Sequence, residues 1–256
     1  MDLGTYLKQN HNRLIWKERI QIAYDIIDGI YRIHGEKEIH RDLHSGNILE
    51  YNERFHISDL GFCGPVDKPL NSIYGNLPYI APEVIIEKKT SFKSDIYSIG
   101  ILMWEISSGK PPFVNYEHNY DLAMNIVNGM RPKIVPGTPL EYKKLMEQCW
   151  DADLTKRPNT YTLMSEIKQL LLDFQSNQDE SQKQISSDQN HQILNNYYLH
   201  NSIDSMNKNY TNKIYRFENF PEPKNATEGK IINIILEYYI TLKNILTFFI
   251  FHLIKL

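Results

Sequence analysis

His40-Arg41-Asp42-Leu43-His44-Ser45-Gly46-Asn47-Ile48-Leu49 (residues 40–49) sets an acid, Asp42, five residues ahead of an amide, Asn47. A basic pair precedes the acid and an apolar Ile-Leu follows the amide. Asp and Asn are common in any polar loop between a helix and a strand, because their side chains bond nearby backbone. What lifts this stretch above such a loop is its flanks. Upstream, Trp16, Ile20, Ala23, Ile27, Ile30 and Ile33 recur at spacings of three and four, the apolar face of a helix over 16–34 with Gly35 as its stop. Downstream, Ile48-Leu49-Glu50 and Phe55-His56-Ile57 read as short strands around a turn at Asn52-Glu53.

That hairpin folds the chain back on itself and returns Asp59 towards the loop. Asn47 and Asp59 then supply two side-chain oxygens of the kind a hard cation takes. From Asp59 to Glu83 the sequence is rich in Gly, Pro, Asn and Ser without periodicity, the mark of a mobile loop. It carries Ser72 and Tyr74, which read either as phosphate acceptors or as plain exposed residues. Ser94 to Ile106 is apolar nearly all round, a helix to be buried in a large domain, and too short and too charged to span a membrane. Further helices are expected near 120–129, 140–150 and 160–174.

Composition narrows the function classes. A net charge of -3 supplies no basic face for nucleic acid, so no nucleic-acid partner is expected. Cys63 and Cys149 are too few for a disulfide framework and read as free thiols; with no secretory h-region after Met1, the expected compartment is the cytoplasm. Residues 1–174 mix apolar and polar residues periodically, whereas 175–230 turn polar and read as a disordered linker. Residues 231–256 are abruptly apolar, either a tail-anchored membrane helix or the translation of A/T-rich noncoding DNA, with the second preferred.

Taken in order, HRDLHSGN (40–47), DLG (59–61), APE (81–83), SDIYSIGILMWE (94–105) and CW…RP (149–158) resemble the eukaryotic protein kinases, specifically their C-terminal lobe. The wording of Leu-Pro-Tyr-Ile-Ala-Pro-Glu (77–83) is most similar to the tyrosine-kinase-like group of a kind common in fungi. The resemblance implies a mainly α fold, a kinase-like C-terminal lobe with a short β-hairpin at the catalytic loop, followed by a disordered tail. It implies transfer of the γ-phosphoryl of ATP to a Ser/Thr or Tyr hydroxyl of a protein substrate, with Mg2+. On that pattern Asp42, Arg41 and Asn47 form the catalytic set, Asp42 taking the hydroxyl proton and Arg41 pairing with a phosphate on Ser72 or Tyr74. Asn47 and Asp59 would hold magnesium, and Leu49 would lie under the adenine ring. His40 and Leu60 would pack in an internal spine, Asp95 would bond the catalytic-loop backbone, and Glu83 would pair with Arg157.

Three departures bear on activity. His44 stands where serine/threonine kinases have Lys, and Asn76 follows Gly75 where they have Thr. Tyrosine kinases use other residues at both places, so the acceptor type stays open, and His44 would be charged only part of the time at neutral pH. Third, no Gly-x-Gly-x-x-Gly loop, strand Lys or partner Glu precedes the first helix, so the N-terminal lobe is expected to be missing and transfer impaired. The alternative is a pseudokinase-type scaffold, tail-anchored if 231–256 enters a membrane.

Overall fold

The apolar stripe of Trp16 to Ile33 sits at the centre of the molecule as the buried side of a twenty-residue helix, with Ile20, Ile27 and Ile30 wholly enclosed. The structure is a computed structural model that describes residues 1–65, 73–87, 89–184, 212–215 and 221–224; side chains are described in these except at 73, 74 and 177–184. Its helices in chain order are α1 (Leu3–Asn10), α2 (Trp16–Gly35), α3 (Pro82–Glu87), α4 (Phe92–Ser108), α5 (Tyr120–Val127), α6 (Leu140–Cys149) and α7 (Thr160–Gln184). The strands are β1 (Glu38–Ile39), β2 (Ile48–Tyr51), β3 (Arg54–Ile57), β4 (Gly64–Pro65), β5 (Ile73–Gly75) and β6 (Lys213–Tyr215), paired antiparallel as β1–β4, β2–β3 and β5–β6. The fold is mainly α with small sheets, as the kinase resemblance implies.

α2 packs against α4 and α7. Gly35 is the last helical residue rather than the stop; the backbone turns left-handed two residues later, at Lys37 with φ 63°. α4 starts on Ser91, whose hydroxyl accepts the Lys93 N–H, and ends on left-handed Gly109. It is buried nearly all round, as its composition requires. At Gly100 an added Cβ would lie 2.9 Å from Cys149 Cβ and 3.1 Å from the Trp150 backbone nitrogen, so α4 and α6 approach backbone to backbone there. The buried Arg19 of α2 donates to the Ile106 and Ser107 carbonyls at the end of α4, satisfying acceptors the helix itself leaves free.

The expected hairpin forms, with Ile48 opposite Ile57 and Tyr51 opposite Arg54. Asn52 and Glu53 both have positive φ (50° and 61°), the tight turn whose twist matches the strands it joins. Asp25 of α2 fastens it, accepting from the Phe55 N–H and from Arg54.

The stretch expected as a disordered linker is ordered in part. α7 runs on to Gln184, because Leu170 and Leu171 anchor it on the core and Gln, Glu and Lys then extend it at little cost. Lys213–Tyr215 forms a strand because Tyr215, only 7% exposed, joins the apolar core. Residues 185–211 and 231–256 lie outside the described residues, the apolar segment among them. Among the described residues no helix is long and apolar enough to cross a membrane.

Candidate active site

The 40–47 loop leaves α2 through β1, and β1 pairs with β4, Ile39 opposite Gly64. The chain after Asp59 is thereby stitched to the chain before Asp42. Arg41 has φ 72°, a strained setting for any residue with a Cβ. Asp95 holds it: its carboxylate accepts from the His40 N–H at 2.8 Å and the Arg41 N–H at 3.0 Å. His34 donates to the same carboxylate at 2.9 Å. Burying this acid to 1% exposure is tolerable because three donors surround it.

Asp42 is 3% exposed. Asn47 lies in a one-turn helix (Ser45–Asn47) and donates its amide to the Asp42 carbonyl at 2.9 Å and to Asp42 Oδ2 at 3.4 Å. Burial pushes the Asp42 carboxyl up to about 6, the negative charge of Asp59 adds to the rise, and the bonds from Asn47 and Asn212 oppose it. Asp59 is exposed, with left-handed φ 56°, and among the described residues no donor bonds its carboxylate. The Asn47 amide oxygen and the Asp59 carboxylate are hard oxygen donors beside a second carboxylate, a set that fits a magnesium ion completing its shell with water and phosphate.

His44 departs from expectation. Its Nδ1 accepts the Gly46 N–H at 3.1 Å, which leaves the proton on Nε2, 3.7 Å from Asp42 Oδ1 and without a hydrogen-bond partner among the described residues. Burial and the neighbouring His40 push its pKa down to about 4. It is therefore neutral at neutral pH rather than partly charged, and the 3.7 Å approach is no ion pair.

The structure brings Glu83 and Arg157 together in a bidentate pair, both contacts 2.8 Å, with Arg157 1% exposed. Arg157 also donates to the Lys93 and Asp151 carbonyls, and Lys93 donates to the Arg157 carbonyl. Arg41 turns its guanidinium to Thr90 Oγ1 and to the Phe62 and Pro65 carbonyls. Its expected phosphate partners are not in view: Ser72 lies outside the described residues, as does the Tyr74 side chain. His40 is fully buried and donates from Nε2 to the Ser58 carbonyl at 3.1 Å. Leu60 corrects the expectation of a buried spine. It is 57% exposed, because the turn at Asp59 leads into a short surface helix (Leu60–Phe62) that no described segment covers. Leu49, 42% exposed, stands on β2 opposite His56.

Several members of the site escape a sequence reading. Tyr79 donates to buried Glu105 at 2.6 Å and meets Ser45 Oγ at 3.2 Å, tying the loop to α4. Gly75 has φ 130°, and a Cβ there would lie 3.1 Å from Asp42 Oδ1, so only glycine lets β5 pass this close. Its place just before Asn76 was the available signal. Nothing local marks Asn212, which donates to Asp42 Oδ2 at 2.7 Å across 170 residues of chain.

The profile of the family described as protein tyrosine and serine/threonine kinase matches residues 1–167. The chain belongs to that family. Among similar proteins are the "Dual serine/threonine and tyrosine protein kinase" of Homo sapiens, 39% identical over 162 residues, and its Pimephales promelas counterpart, 38% identical over the same length. These alignments cover 61% of this chain and 17% and 18% of the relatives. The Apis mellifera protein of the same name is 34% identical over 187 residues, 68% of this chain and 19% of the relative. This kinase-family chain thus spans less than a fifth of the length of the relatives it matches, and by family it is a transferase.

Proposed function

We propose that residues 1–174 are the C-terminal lobe of a tyrosine-kinase-like protein kinase domain that moves the γ-phosphoryl of ATP to a protein hydroxyl in the cytoplasm. Residues 175–230 then serve as a connecting segment and 231–256 as a separate apolar one. The observation that carries the reading is Asp42: a buried carboxylate held by Asn47, with Asp59 close enough to raise its pKa.

In this reading Asp42 orients the acceptor hydroxyl and takes its proton. With a pKa of about 6 it is ionised at neutral pH yet basic enough to assist. Asn47 and Asp59 would hold magnesium, which would offset the charge on the phosphates. Asp95 and Arg41 keep the loop backbone in place, and the Glu83–Arg157 pair anchors the segment carrying β5. Leu49 offers an exposed apolar surface to the adenine ring.

The 256 residues contain no Gly-x-Gly-x-x-Gly loop. We therefore expect weak transfer by this chain alone and recovery when it is fused behind a Gly-rich lobe bearing the strand Lys. In that fusion Asp42→Asn is expected to slow transfer to a mixed protein substrate about 10²–10⁴-fold. Asp59→Asn is expected to weaken magnesium-dependent binding of a fluorescent nucleotide. Undiminished transfer by Asp42→Asn would end the proposal. The scaffold reading gains if the fusion binds no nucleotide.

A further inference from the structure

β6 lies antiparallel to β5, with Ile73 opposite Tyr215, Tyr74 opposite Ile214 and Gly75 opposite Lys213. The residue before this strand, Asn212, therefore arrives at Asp42 and donates Nδ2 to Oδ2 at 2.7 Å. Its other amide atom, Oδ1, is buried and has no hydrogen-bond partner among the described residues. At the far end Tyr215 is in the core, while Lys213 and Ile214 face outward. Farther along, the Lys224 N–H bonds the Val127 carbonyl at the end of α5, a second anchor for the same tail.

Asn212 occupies the position a reacting group must reach. A general base takes a proton from a hydroxyl about 2.6–3.2 Å away, and Nδ2 sits within that range of Asp42. An amide nitrogen can fill the place but cannot use it, because its lone pair is delocalised into the carbonyl and does not attack phosphorus. The remaining orphan, Oδ1, is what a hydroxyl would not leave behind.

We propose that Asn212–Tyr215 is a pseudosubstrate: the chain's own tail fills the acceptor site, with Asn212 standing in for the residue to be phosphorylated. The same contacts describe the substrates it excludes. They would add to β5 as a short antiparallel strand, with Ser or Thr at the place of Asn212 and an aromatic residue three positions later in the pocket of Tyr215. Side-chain reach decides the acceptor. Ser Oγ lies one bond nearer its Cα than Asn Nδ2, whereas the phenol oxygen of Tyr lies several bonds farther and would overrun Asp42 in this register. This inference rests on the reading of Asp42 as the base.

The test uses the full chain, without nucleotide, so that docking and phosphoryl transfer can fail separately. Hydrogen exchange is followed at the Ile73–Gly75 amides, alongside anisotropy of a labelled peptide with the sequence of residues 209–218. A tethered segment competes at an effective concentration on the order of millimolar, so displacing it is expected to tighten the peptide about tenfold or more. The double variant Asn212→Ala/Tyr215→Ala should show that gain and lose amide protection. Asn212→Asp, which keeps Tyr215 in the core and sets a carboxylate against Asp42, should shift both readouts in the same direction. Unchanged exchange and peptide affinity in both variants would overturn the pseudosubstrate. On the displaced chain, peptides with Ser or Thr in place of Asn212 should bind within about threefold of the parent peptide, and one with Tyr about tenfold more weakly, or roughly 1.4 kcal/mol. Equal or tighter binding of the Tyr peptide would overturn the acceptor assignment.

Discussion

The back and the front of the 40–47 loop are built in opposite ways. Behind it the charges are matched: Asp95 meets three donors, Arg157 meets Glu83 twice, and Tyr79 bridges Ser45 and Glu105. In front the matching is incomplete. Asp42 keeps a raised pKa although Asn47 and Asn212 donate to it, and among the described residues the His44 Nε2 has no partner and the exposed Asp59 carboxylate no donor. A molecule selected for stability alone would pair these groups too. On the proposed function, this incomplete side is the one that receives the ligand, and the matched back keeps it in place.

Breaking the back should cost most in stability. Arg157→Ala leaves the buried Glu83 side chain without its cation, keeping only the Ser94 hydroxyl, and is expected to lose about 3–5 kcal/mol by urea unfolding, with proteolysis opening the chain around β5. A midpoint within error of the parent would mean the pair is not buried in solution. Asp95→Asn keeps the shape but removes the charge that holds the His40 and Arg41 amides; a loss of about 2–3 kcal/mol is expected, with faster exchange at both amides. Gly100→Ala pushes a methyl into the α6 backbone and should cost about 1–3 kcal/mol. By contrast Asp42→Asn, at the front, should not lower the midpoint at pH 7, because it removes a buried carboxylate whose ionised form burial disfavours. A large loss there would erase the distinction between the two faces.

Acid sharpens the same comparison with a smaller effect. His11 and His44, both pushed down to about 4, stay neutral in the folded chain while the unfolded chain protonates them near 6.5. Between pH 6.5 and 4 the unfolded state binds more protons, so stability falls with acid. Asp42 acts oppositely between 3.8 and about 6, where the folded state holds the extra proton. His11→Asn should flatten the loss measured by urea midpoints from pH 6.5 to 4.5. The smallest effect belongs to the exposed Lys144–Glu141 pair, where Lys144→Ala should change stability by less than about 0.5 kcal/mol.

Much of this architecture is legible in local pattern. The spacing from Trp16 to Ile33 marks α2 to within a residue, and two turn-forming residues between short strands mark the hairpin. The acid–amide spacing of Asp42 and Asn47 marks the loop. The errors share one cause, since each concerned what stands opposite a residue rather than the residue itself. Leu60 is apolar, but burial needs a covering surface. His44 has an ordinary midpoint only in water. The polar run after Phe174 reads as a disordered linker, yet its described residues include the end of α7 and the strand β6, where Tyr215 reaches a core that local composition does not supply.

The sequence by itself determined the central helices and the hairpin, the kinase-family loop and the identities of its polar groups, because helical period, turn chemistry and motif spacing are properties of adjacent residues. Only the tertiary structure decided that Tyr79 and Glu105 lock the loop to α4 and that a tail strand sets Asn212 on Asp42. These contacts depend on which surfaces meet after the chain has closed over long distances. So do the altered acidities of Asp42 and His44, because desolvation is a property of the surroundings and not of the side chain.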